Sequence, residues 1–236
     1  MRVAFLTNQT THHAHFVREL LPAAEIVGSI LETTGVTPSF DTGHAYLEQQ
    51  HEFELANFFG GDDIQIGDLC PNVSVSNVND SEVIAAVRQW QPDLTVAFGV
   101  RRVKPETIEA LPGRLLNLHG GDPEEYRGLD THLWAIYHSD FAALVTALHV
   151  LAPRLDTGDI VQLSQIPLQA GMPLYQLRAA NTQVCIDLVR TAIESLKSTG
   201  DIPTKPQREF GRYYSFMPSV MKDLVKRRFE AHTAKL

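Results

Sequence analysis

The sequence predicts an α/β protein built on a doubly wound, mostly parallel sheet. Three observations carry that reading. Short apolar runs alternate with segments of helical periodicity through the first half of the chain, each change is marked by Gly, Pro or a capping residue, and the chemically unusual polar residues follow the ends of the apolar runs.

Val3 to Leu6 reads as a first buried strand, followed by a polar, His-rich turn and a helix over Ala14 to Leu21 whose Phe16, Val17, Leu20 and Leu21 share one face. Ile26 to Leu31 is a second strand. Asp41 to Phe59 is a mostly polar helix stopped by Gly60-Gly61, and Val73 to Val78 is a weaker strand. Asp80 to Trp90, with Asn79 or Asp80 as its cap, aligns Val83, Ile84, Val87 and Trp90 on one side. Pro92 closes that helix, and Leu94 to Phe98 follows as a nearly continuous buried strand. A short helix starting near Pro105 leads to the strand Leu115 to Leu118.

Beyond Gly128 the rhythm changes. Thr131 to Tyr137 reads as helix, Ala143 to Leu151 and Ile160 to Ile166 as strands, and Pro173 to about Lys197 as a long core-packing helix with Gly200 just past its end. Residues 1–200 are expected to form one catalytic domain, and residues 201–236 a C-terminal extension with aromatic residues and a terminal helix. In such sheets ligands bind beyond the carboxyl ends of the strands, where the loops after Leu6, Phe98 and Leu118 gather.

Composition narrows the function. At 44% hydrophobic and 20% charged residues the balance is that of a globular protein, and no apolar stretch approaches the roughly 20 residues that cross a bilayer. The apolar start is too short for a secretory signal, so the expected location is the cytoplasm, with no membrane partner. Cys70 and Cys185 show no Cys-x-x-Cys spacing, and no metal site is expected. A net charge of −8 opposes general nucleic-acid binding, which needs surplus Lys and Arg to neutralise phosphates.

The chemistry concentrates in Asn117-Leu118-His119-Gly120-Gly121-Asp122-Pro123-Glu124-Glu125-Tyr126-Arg127-Gly128 and, later, Leu155-Asp156-Thr157-Gly158-Asp159. Residues two apart in a strand point to one side, so Asn117 and His119 present a carboxamide and an imidazole to the same space. A carboxylate in the Thr-Gly turn can reach that imidazole and set its tautomer or raise its pKa. Taken singly, a His at a strand end and an Asp-Thr-Gly-Asp turn are commonplace. Together they can perform acyl chemistry.

This constellation resembles the formyltetrahydrofolate-dependent formyltransferases, whose members act on glycinamide ribonucleotide, on initiator methionyl-tRNA or on nucleotide-linked amino sugars. Asn117, His119, Tyr126-Arg127-Gly128, Trp134-Ala135-Ile136 and Leu155-Asp156-Thr157-Gly158 follow the family's order, as does Pro92-Asp93-Leu94 leading into Phe98-Gly99. The resemblance covers roughly residues 79 to 168 and implies a Rossmann-like formyltransferase core. One departure stands out: the family's His-Pro-Ser-Leu-Leu-Pro loop is here the acidic His119-Gly120-Gly121-Asp122-Pro123-Glu124.

By resemblance, Asn117 and a protonated His119 would stabilise a tetrahedral oxyanion, with Asp156 holding His119 charged and assisting proton movement. Val100, Arg101, Val103, Arg154 and Leu155 would line the site of the donor, formyltetrahydrofolate. Asn8, Thr10, His12, Tyr126 and Arg127 are candidates for the acceptor. The loop after the first strand lacks the Gly-Ser-Asn of the glycinamide ribonucleotide branch, and the acidic charge and short C-terminal region disfavour tRNA. The expected acceptor is therefore the amine of a nucleotide-linked amino sugar. Another small amine such as glycinamide ribonucleotide, a folate-binding protein without catalysis, and hydrolysis of the donor itself are the alternatives. Tyr213, Tyr214 and Phe216 would pack on the core, stack on a nucleobase or contribute to the interface of a homodimer.

Overall fold

A computed structural model describes residues 1–236. Its centre is a seven-stranded sheet in the order β3-β2-β1-β4-β5-β7-β8, formed by β1 (Arg2–Thr7), β2 (Glu25–Glu32), β3 (Asn72–Val75), β4 (Leu94–Phe98), β5 (Arg114–His119), β7 (Val145–Val150) and β8 (Ile160–Gln165). The first five strands in that order run parallel, and β7 and β8 are antiparallel to their neighbours. The expected doubly wound, mostly parallel sheet is therefore present. The order reverses between β1 and β4, which places a crevice at their carboxyl ends.

Helices α1 (Thr11–Leu20), α2 (Ala45–Phe59), α3 (Ser81–Trp90), α4 (Pro105–Ala110), α5 (Thr131–Tyr137), α6 (Leu177–Thr199) and α7 (Ser219–Thr233) complete the fold. The larger core lies on one face, where Phe5, Leu116, Leu118 and Leu148 pack with Phe16, Leu20, Val189 and Phe229. The smaller lies on the other, where Leu6, Ile30 and Ala97 meet Val83 and Val87 of α3. Burial of these apolar faces, at about 25 cal/mol per Å², supplies the main stabilisation. No helix is long and apolar enough to cross a membrane.

Several local expectations change. Helix α1 begins at Thr11, so His12 belongs to its first turn and not to a loop. Helix α2 begins at Ala45, after His44 accepts the Tyr46 N–H through Nδ1. Asp80 precedes α3 without capping it; its carboxylate accepts from the Ser76 hydroxyl and the Asn77 N–H. Asn79 instead accepts from Lys104 N and Thr107 Oγ1, closing the start of α4.

Two short strands were not expected from the sequence. β6 (Tyr126–Gly128) pairs in parallel with β9 (Arg212–Tyr214), bringing the C-terminal segment onto the Tyr126-Arg127-Gly128 stretch. Three residues are too few to show periodicity. Only the approach of two segments distant in sequence creates this ladder.

Candidate active site

Strand β5 carries Asn117 and His119 on the side of Leu115, which packs with the smaller core, while Leu116 and Leu118 point to the larger one. The antiparallel register sets His149 of β7 opposite Asn117, on that same side. Loop 151–159 then curls back so that Asp156 Oδ1 lies 3.6 Å from His119 Nδ1 and 3.7 Å from His149 Nε2.

Asn117 Nδ2 lies 3.1 Å from His149 Nε2, and His149 Nδ1 lies 2.8 Å from the Val150 carbonyl oxygen. A carbonyl only accepts, so His149 carries its proton on Nδ1 and receives a hydrogen bond from Asn117. One N–H of the carboxamide is left for a ligand.

His119 is fixed in the same way. Its Nε2 donates to the Tyr126 carbonyl oxygen at 2.7 Å, which turns Nδ1 toward Asp156 Oδ1 at 3.6 Å. Burial lowers its pKa below the ordinary value of 6.5, although Asp156 and the Tyr126 carbonyl act in the opposite sense. Burial thus acts against the expected charge on His119, and with the proton on Nε2 its Nδ1 faces Asp156 as an acceptor.

Asp156 occupies the left-handed region at φ 53, and its Oδ2 accepts the Gly128 N–H at 3.0 Å. Gln207 of the C-terminal segment donates to the Asp156 and Gly158 carbonyl oxygens at 3.1 and 2.7 Å. Burial raises the carboxyl pKa, but His119, His149 and the Gly128 N–H together hold it below 3.8. The group is a carboxylate at neutral pH. Gly158 is required sterically, because a Cβ there would collide with the Val150 carbonyl.

Asn117, His119 and Asp156 open into a cavity of about 380 Å³ lined also by His12, Tyr46, Gln50 and Arg178. A larger cleft of about 1420 Å³ adjoins it over the crevice between β1 and β4, sharing Gly99, Val100, Leu129 and Leu155 with the cavity. His132 borders the cavity too. Its Nε2 donates to the Val145 carbonyl oxygen at 2.7 Å, and burial takes its pKa to about 4.

Asn117, His119, Asp156, His12, Val100 and Leu155 are brought together in the cavity wall. Asn8 and Thr10 border the cleft, but their polar atoms are occupied within the chain: Asn8 donates to the Gly99 carbonyl at 2.8 Å and accepts from His13, and Thr10 bonds to His12 and His13. Arg101 is held by the buried Glu32 at 3.1 Å. The Tyr126 ring packs against Tyr214 and its hydroxyl donates to Asp140 at 3.0 Å, so its carbonyl and not its side chain serves the site. Arg127 and Arg154 lie outside the cavity, their guanidinium carbons 5.7 and 5.2 Å from the centroid of the exposed Phe210 ring.

Val100, Arg101, Val103 and Leu155, four of the residues expected to line the donor site, border a slot between Val100–Val103 and Ala152–Asp156 that holds only about 30 Å³. Arg102 crosses it, with Nε and Nη2 at 3.0 and 2.7 Å from the Pro153 carbonyl oxygen. Of the residues that sequence reasoning missed, His149 is legible only once the β5–β7 register is known, and Glu54 and Arg178 only once α2 meets α6.

The chain matches the formyl transferase family over residues 36–183. It is 32% identical over 93 residues to phosphoribosylglycinamide formyltransferase of Escherichia coli (strain K12), a match spanning 39% of this chain and 43% of that protein. The matched part is thus less than half of that relative. Among solved structures, a sugar N-formyltransferase from Shewanella sp. superposes at a TM-score of 0.60 and 15% identity, covering 95% of this chain and 79% of the other. HypX from Aquifex aeolicus, in complex with tetrahydrofolic acid, does so at 0.62 and 18%, covering 99% and 34%. At these identities the structural likeness shows a shared fold.

Proposed function

This chain belongs to the formyl transferase family, and from that premise we propose that it is an N-formyltransferase, moving the formyl group of formyltetrahydrofolate to the amine of a nucleotide-linked amino sugar. The observation that carries the transfer reading is a single one. His119 Nδ1 and Asp156 Oδ1 face each other across 3.6 Å in the cavity wall, beside the one free N–H of Asn117.

The separation is too long for a hydrogen bond and suits two acceptors converging on one N–H of an attacking amine. His119 takes that proton on Nδ1. The imidazolium formed is held by the Tyr126 carbonyl and by the Asp156 carboxylate, and it returns the proton to the departing nitrogen. Asn117 Nδ2–H is the donor for the oxygen that gains negative charge. A preorganised donor of this kind is worth about 10²–10³ in rate.

The donor's pterin is assigned to the slot between Val100–Val103 and Ala152–Asp156, entered as the Arg102–Pro153 bridge yields. The acceptor enters from the cleft. Lys104, Phe216 and Tyr213 line that cleft, and Tyr213 is 54% exposed, which suits diphosphate and nucleobase recognition. Tyr214, by contrast, stacks on Tyr126 and Trp134. A net charge of −8 opposes a polyanion of tRNA size.

The test supplies formyltetrahydrofolate with a panel of nucleoside-diphosphate amino sugars, glycinamide ribonucleotide and methionyl-tRNA, reading formylated products by mass. Formylation of the amino sugars is expected. Preference for either of the other acceptors overturns the acceptor assignment, and release of formate without any amine product overturns the transfer reading.

A further inference from the structure

The cavity continues past Asn117, His119 and Asp156, over the carboxyl edge of β4 and β5, to an inner end between α1, α2 and α6. At that end Glu54 is fully buried, and Arg178 Nε and Nη2 each lie 2.6 Å from one of its oxygens. With its oxygen turned toward the guanidinium, the orientation that satisfies both groups, the Gln50 amide accepts from Arg178 Nη1 at 2.9 Å. The charge is compensated in place, and the acceptors are spent.

The donors around this pair are not spent. Asn181 Oδ1 accepts from the Thr146 hydroxyl, which leaves its NH₂ to the cavity. His12 is set by a relay. Asn8 Nδ2 donates to the Gly99 carbonyl oxygen at 2.8 Å, so its Oδ1, 2.7 Å from His13 Nδ1, must accept from that nitrogen. His13 Nε2 is accordingly the bare nitrogen, and it is buried without a partner. The Thr10 hydroxyl proton is then free to bond His12 Nδ1 at 3.0 Å. In the tautomer set by that bond His12 carries its own proton on Nε2, and Glu54 Oε2, 3.9 Å from Nδ1, lies beyond hydrogen-bond reach. Burial holds both imidazoles well below the pKa of free histidine, so both are neutral. Tyr46 lines the same end, and its hydroxyl bonds to no group of the chain.

We propose that this inner end is a subsite for an oxygen that accepts hydrogen bonds and cannot donate them, a carbonyl or carboxylate oxygen of the amine substrate. His12 Nε2–H and Asn181 Nδ2–H receive it, with Tyr46 as a third partner. The assignment rests on the formyl-transfer reading only for what the cavity holds. A hydroxyl is matched less well, because apart from the Tyr46 phenol no free acceptor is left for its proton. The Glu54–Arg178 pair shapes the subsite from behind and joins α2 to α6.

The test uses the full chain, without donor, and three sugars differing in one group: N-acetyl-D-glucosamine, D-glucuronate and D-glucose. Saturation-transfer NMR should show one of the first two bound in preference to glucose, N-acetyl-D-glucosamine identifying a carbonyl and glucuronate a carboxylate. Equal saturation of all three, or none, overturns the proposal and leaves formyl transfer untouched. Asn181→Leu should weaken the preferred sugar about tenfold, as expected for one lost hydrogen bond to an sp² oxygen, while tetrahydrofolate binding stays within about twofold. Should Asn181→Leu fold poorly, Tyr46→Phe, which removes one oxygen, should weaken it several-fold. Wild-type affinity in a folded variant of both kinds also overturns it.

Discussion

The backbone N–H of Gly128 donates to Asp156 Oδ2 at 3.0 Å, so that a glycine in a three-residue strand aims the carboxylate of a loop 28 residues away. Two residues earlier, the Tyr126 carbonyl accepts from His119 Nε2 at 2.7 Å. The Tyr-Arg-Gly stretch thus acts through its main chain. It fixes the tautomer of the imidazole and the orientation of the carboxylate that faces it.

The polar trio is expected to matter for turnover more than for binding. Asn117→Ala should lower kcat by about 10²–10³, with acceptor KM changed much less, because its free N–H meets an oxygen that gains charge only in the transition state. Asp156→Asn should also lower kcat, since an amide cannot stabilise the imidazolium. Steady-state kinetics with the acceptor found by the panel assay decides this, and a wild-type rate for Asp156→Asn removes the carboxylate from the mechanism.

Gly128→Ala is expected to injure both site and fold. Gly128 sits at φ 96, and a Cβ there would collide with the Tyr214 carbonyl of the paired strand. Overpacking of this kind costs about 1–3 kcal/mol. Urea denaturation should show that loss, and the β6–β9 amides should exchange faster. Unchanged stability would mean that the pairing is not maintained in solution.

Arg102→Ala should speed donor binding. Removing the guanidinium deletes both hydrogen bonds to Pro153, and loops 99–103 and 151–156 should then exchange amide hydrogens faster in the free protein. Stopped-flow binding of tetrahydrofolate should show a higher association rate for the variant, and tetrahydrofolate should add protection to both loops in the wild type. Protection confined to other regions would relocate the pterin.

Stability should decline with acid. His12, His13, His119 and His132 all have pKa values lowered first of all by burial, His13 to about 3 and His132 to about 4, from 6.5. The unfolded chain takes up these protons near pH 6.5 and the folded chain does not. Their contribution is therefore complete above that pH and lost as pH falls toward the folded values. Asp156, held below 3.8, adds a loss in the same direction at still lower pH. Thermal unfolding should show Tm falling steadily from pH 7 to pH 4, and His132→Phe should flatten part of that slope. A level profile contradicts the buried, neutral histidines.

By itself, the sequence determined the alternation of strands and helices and the pairing of Asn117 with His119. Periodicity and the two-residue repeat of a strand are local properties, readable wherever the chain sits. Gly60 and Gly200 end α2 and α6 where expected for the same local reason, both in the left-handed conformation. The tertiary structure decided what local pattern cannot encode: the antiparallel register that sets His149 against Asn117, the β6–β9 ladder that aims Asp156, and the meeting of Glu54 with Arg178 124 residues apart. It also decided the direction in which the His119 pKa moves. A nearby carboxylate alone would raise an imidazole's pKa, and only the packing around His119 shows that desolvation outweighs it.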